Sequence, residues 1–135
     1  MESMEKLVWQ RRVIGLNLRV LRNRHNMTAQ NLGDALNVSQ QLISKLENAK
    51  SDLSYTLISG LIDVFGLTNY RDLLPAPSWS VKKLKNIAIV LGLVLSSDGI
   101  LSHLYKSLGI SYKEFKKTFL GKTIDDLSGN LETTK

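Results

Sequence analysis

Residues 27–50 read MTAQNLGDALNVSQQLISKLENAK, and the spacing of polar and apolar residues within them decides the fold. Thr28 suits an N-cap, and Leu32, Ala35 and Leu36 behind it recur at helical spacing, predicting one short helix with those residues inward. Asn37 stands where that helix must stop, and asparagine tolerates the left-handed backbone better than most residues. Ser39 then caps a second helix, whose Leu42, Ile43 and Leu46 point inward.

Two helices joined by so short a turn cross steeply, which calls for a small residue where they touch. Gly33 supplies it, and Val38 and Ile43 close the core beneath the turn. The second helix then presents its first polar residues outward, as a recognition helix does in a major groove. Gln40 and Gln41 sit there. A glutamine amide offers one donor and one acceptor, matching the N6/N7 edge of adenine. The competing reading is a solvated helix face, because amides in water add little to stability.

Working outward, Ile14, Leu18 and Leu21 form a preceding helical stripe that ends near residues 24–26. After the two central helices, SYTLISGLIDVFG predicts a helix burying Leu57, Leu61 and Val64 or Phe65 and stopping at Gly66. NYRDLL predicts a short fifth helix. No sustained alternation suggests a strand, so the fold class is all-α. Both prolines, Pro75 and Pro77, fall in LLPAPSW and mark a boundary at Leu74.

The 135-residue chain is 43% hydrophobic and has no cysteine, which excludes disulfides and thiolate metal sites. Its two histidines, His25 and His103, have no suitable carboxylate cluster, so neither a metal nor another cofactor is expected. The first twelve residues lack the apolar core of a signal peptide, and the run Ile87 to Leu95 is too short to span a bilayer. A soluble, cytoplasmic protein is expected. Net charge is +6, pointing to an anionic partner. Nine basic and seven acidic residues leave +2 in residues 1–75, and nine and five leave +4 in residues 76–135.

The stretches IGLNLRVLR, MTAQNLGDALNVSQQLISKLENAK and LIDVFGLTNYRDLL, within residues 14–74, resemble the Cro/C1-type (XRE-family) helix-turn-helix domain of phage repressors. SQQLISKLENAK is especially similar to lambdoid phage repressors, in which paired glutamines read bases. The resemblance implies a five-helix domain, residues 10–75, that binds a double-stranded DNA operator as a homodimer. It implies that Gln40, Gln41, Ser44 and Lys45 face bases, while Asn48 and Lys50 lie by phosphates. Thr28, Gln30 and Ser39, at the two helix starts, join the phosphate set. Arg22 and Glu47 occupy positions that form a structural ion pair in that family. The chain departs from the pattern at Ala29, where a phosphate-contacting glutamine is usual, and at Asn37, where glycine is usual. Arg19, Arg22 and Arg24 also suit an ordinary solvated helix face, and Trp9 and Trp79 suit packing.

The second half also reads as helices, at roughly Val81 to Leu95, Asp98 to Leu108 and Tyr112 to Leu120. The first is apolar nearly all round, so it should be buried. A 60-residue appendage has little mass to bury it, which predicts a dimerisation or partner-binding module over residues 80–122, with a flexible tail at 123–135. LYKSLGISYKEFKKTF echoes LGDALNVSQQLISKLE and is a weaker candidate for a second helix-turn-helix, because Tyr105 stands where Gly33 does. The functional expectation is a sequence-specific transcriptional regulator, a repressor. An antitoxin whose second half binds a toxin is the alternative. No nucleophile–base pair or phosphate loop suggests an enzyme.

Overall fold

The computed structural model describes residues 2–95, and every regular element within them is helical. The order is α1 (Glu2–Arg24), α2 (Ala29–Leu36), α3 (Gln40–Glu47), α4 (Tyr55–Phe65), a 3-10 turn (Tyr70–Asp72) and α5 (Val81–Leu95). The candidate second helix-turn-helix and the expected tail lie outside the described residues.

Helix boundaries follow local chemistry. Thr28, Ser39 and Ser54 each accept a hydrogen bond at the side-chain oxygen from the N–H three residues on, at 3.0, 3.1 and 3.2 Å. Ser80 does the same for Lys83 at the start of α5. Such caps satisfy one of the donors that a helix start leaves open. The first four helices end alike, with a left-handed residue at Asn26, Asn37, Ala49 or Gly66. In each, the next N–H reaches back five residues, as Val38 does to Gly33 O at 2.8 Å and Lys50 to Lys45 O at 2.8 Å. This is the Schellman arrangement, and Met27, Val38 and Leu67 accordingly tuck against the core just past their helices.

Packing forms two cores that share α1. A helix advances ~100° per residue, so positions 13, 16 and 20 face one way and 14, 18 and 21 another. Leu18 and Leu21 join Leu32, Ile43, Leu46, Leu61, Phe65 and Leu73 in the first core. Val13 and Val20 join Trp79, Leu84, Ile87, Ala88 and Leu91 in the second. Asn17 lies between these faces, 2% exposed, and donates its amide to Asp72 O at 3.1 Å and Leu73 O at 3.3 Å. That bond ties the 3-10 turn to α1 and leaves the buried amide nitrogen satisfied.

Three expectations need correction. Ala35 is exposed on α2, not inward. The fifth helix of the first half is a single 3-10 turn, because Asn69 caps Arg71 N–H at 2.8 Å and Leu73 bonds back to Tyr70 O, closing a three-residue ring. The apolar helix at 81–95 has cover within the chain: α5 packs on the second face of α1, against Val13 and Val20, and on its earlier turn at Trp9. Lys6 Nζ donates to Pro77 O, and Lys85 Nζ lies 3.3 Å from Glu5 Oε1, pinning the start of α5 to the first third of α1.

Candidate nucleic-acid interface

Helix α3 has two sides with opposite chemistry. Ile43, Leu46 and Glu47 are buried, whereas Gln40, Gln41, Ser44 and Lys45 are exposed. Residues three and four apart are neighbours on a helix, so Gln40–Ser44, Gln41–Ser44 and Gln41–Lys45 make one continuous polar strip. Its apolar underside rests on α2 where Gly33 leaves room. A Cβ on Gly33 would come within 2.8 Å of Val38 O, so even a methyl group would push the turn away.

The helix starts carry the residues assigned to phosphates. Thr28 and Asn31 bond reciprocally: Asn31 N–H donates to Thr28 Oγ1, and Thr28 N–H donates to Asn31 Oδ1, both at 3.0 Å. This capping box leaves the Thr28 hydroxyl hydrogen able to donate, beside the exposed Gln30 side chain. Ser39 is likewise exposed, with its oxygen accepting from Leu42 N–H and its hydrogen still able to donate. At the far end of α3, Asn48 Nδ2 donates to Ser44 O at 2.8 Å, which commits one amide hydrogen to closing the helix. Lys50 is exposed beyond it.

Glu47 anchors this surface to α1. Arg22 donates Nε to Oε2 at 2.7 Å and Nη2 to Oε1 at 3.0 Å, and Arg19 Nε adds a contact to Oε1 at 3.1 Å. Both oxygens are occupied in a site where the carboxylate side chain is 4% exposed. Hydrogen bonding to Glu47 raises the already high pKa of Arg22, so its guanidinium stays charged. Arg22 Nη1 also donates to Met27 O at 3.0 Å, so one guanidinium joins α1, the turn before α2 and the end of α3. A Cβ on Gly15 would lie 2.6 Å from Glu47 O and 2.7 Å from Leu46 O, showing how closely α1 meets α3 here.

Four further residues take part without having been singled out as site residues by sequence reading. Arg19 is a second partner of Glu47, and its spacing of three from Arg22 places both on one helix face. Asn31 completes the capping box, signalled only by its position three after Thr28. Arg11 and Asp52 pair through two bonds of 2.6 and 2.8 Å, with no local signal because they are 41 residues apart.

Among the described residues, no group of three or more histidines or carboxylates could hold a metal ion, and no helix is long and apolar enough to cross a membrane. Residues 18–71 match the family model described as helix-turn-helix. No curated protein and no solved structure matches the chain.

Proposed function

Since residues 18–71 form a Cro/C1-type helix-turn-helix domain, the mark of a DNA-binding transcriptional regulator, we propose that this protein is a repressor whose dimer binds a pseudo-palindromic operator. The observation that carries this reading is the exposed strip Gln40–Gln41–Ser44–Lys45 on a helix whose other side is buried. Amides and an ammonium at successive turns suit base edges, with Lys45 reaching guanine O6/N7 and Gln41 reaching adenine. Thr28, Gln30, Ser39, Asn48 and Lys50 border the strip and fix register on the phosphates. Arg22 and Glu47 hold the strip at a set angle to the rest of the domain.

Pairing of two copies is the role we assign to residues 80–122. Ile89, 61% exposed on α5, supports that assignment, because a large apolar side chain there has no cover within the described residues. We place its encounter with the operator in the cytoplasm.

Selection of bound sequences from random duplex DNA by the intact protein tests the proposal. Enrichment of a site with two related halves about 34 Å apart is expected. No enrichment, or a site without symmetry, would overturn the operator or the dimer respectively. Gln41→Ala should then lower the operator-to-scrambled affinity ratio by a factor corresponding to about 1–3 kcal/mol. If Gln40→Ala and Gln41→Ala both leave that ratio unchanged, the amides are a solvated face.

A further inference from the structure

The polar strip of α3 does not account for the basic concavity at the helix's other end. A groove runs between α1 and the residues just past α3, with Arg12, Arg19, Glu47, Asn48 and Lys50 among its lining. Glu47 is the one carboxylate among those residues, and Arg22 already neutralises it through two bonds. Arg12, Arg19 and Lys50 therefore leave the groove with a surplus of positive charge.

Arg12 is exposed, and its guanidinium carbon lies 5.5 Å from the Trp9 ring centroid. Stacking on an aromatic face restricts the guanidinium without consuming its N–H donors, which remain free to meet an oxyanion. Backbone groups cannot take that part. The N–H groups of Asn48, Ala49 and Lys50 are all spent on carbonyls of α3. An anion in this groove must be held by side chains alone.

We propose that this groove is a phosphate-binding subsite, in which Arg12 and Lys50 grip a single phosphodiester of the bound duplex, with Arg19 adding charge beside Glu47. The inference rests on the DNA-binding reading above and adds a residue to it: Arg12 lies before the region matched by the family model, so its contribution comes from the N-terminal extension of α1. A fixed phosphate contact there enlarges the footprint beyond the bases read by α3 and orients α1 on the backbone.

The test uses the intact protein and a duplex containing its selected site. Arg12→Ala should weaken operator and scrambled duplex by the same factor and reduce the slope of log affinity against log salt by about 0.9. Between 50 and 200 mM salt, wild type should consequently lose about 3- to 4-fold more affinity than the variant. Arg12→Lys should restore most of the slope, since a point charge suffices for a phosphate. Phosphate-ethylation interference should show one position that matters to wild type and not to Arg12→Ala, and Lys50→Ala should erase the same position. Unchanged salt slope and interference pattern in Arg12→Ala, while Gln41→Ala still alters sequence preference, would overturn the subsite and spare the function. Failure of wild type to bind any duplex would overturn both.

Discussion

Arg22 and Glu47 form a two-point ion pair, Nε to Oε2 at 2.7 Å and Nη2 to Oε1 at 3.0 Å, that fastens the end of α3 to α1. Removing one partner of such a buried pair strands the other charge. Glu47→Ala leaves both Arg22 and Arg19 uncompensated and should destabilise the fold by about 2–4 kcal/mol in urea unfolding. Arg19→Ala should cost less, about 0.5–1 kcal/mol, because its side chain is 37% exposed and Arg22 remains. Equal losses from the two substitutions would contradict this ranking.

The close approach of α1 to α3 gives a second expectation. Gly15→Ala would place a methyl group 2.6 Å from Glu47 O, a backbone atom that cannot rotate away. Thermal unfolding should reveal a loss of about 1–3 kcal/mol. Gly60→Ala meets only Leu36 Cδ2, at 2.7 Å, and should be milder because that side chain can adjust.

Among the described residues, Ala49 is the sole left-handed one that is neither asparagine nor glycine. Its Cβ crowds the carbonyl that follows, a strain of roughly 1–2 kcal/mol. Ala49→Gly relieves the strain while giving the unfolded chain more freedom, for a net gain of about 0.5–1 kcal/mol. Urea midpoints of the two proteins decide the sign.

Ending the chain at Leu74 should do more than remove the segment proposed to pair two copies. Leu84, Ile87 and Leu91 are fully buried against the side of α1 that carries Val13 and Val20. Loss of that cover costs about 1.5–3 kcal/mol for each large side chain. The fragment should unfold at lower urea than the full chain, and sedimentation should show it monomeric. A fragment as stable as the full chain would mean that α5 contributes little to folding.

The Arg11–Asp52 pair has a pH signature. Hydrogen bonding to Arg11 lowers the Asp52 pKa, so the ionised carboxylate favours the folded state. The contribution is complete above the unfolded value of about 3.9 and fades as pH falls through the lower folded value. Asp52→Asn should therefore reduce Tm slightly at pH 6, and the difference should narrow as pH falls below about 4. Both groups are well exposed, so the effect should also shrink in high salt.

How much of this was legible depends on sequence distance. Thr28, Asn37, Ser39 and Gly66 act within a few residues of themselves, and their chemistry announces the ends of α2, α3 and α4. The turn and the outward strip on α3 follow directly. The ion pair of Arg22 with Glu47 spans 25 residues and was visible only through family resemblance. Asn17 bonds to carbonyls 55 and 56 residues away, where no periodicity could point. The contact of α5 with α1 escaped for a related reason. A helix apolar nearly all round shows that it needs cover without saying which surface provides it.

Because α1 is a wall of both cores, its middle turns cannot be exposed by loosening either one alone. Backbone amides between Val13 and Leu21 should exchange with deuterium only when the whole described fold opens. Amides of α2 or α5 have a local route and should exchange sooner. An event that disturbs α5 would then reach the polar strip of α3 as a change in the cooperativity of opening, transmitted along α1.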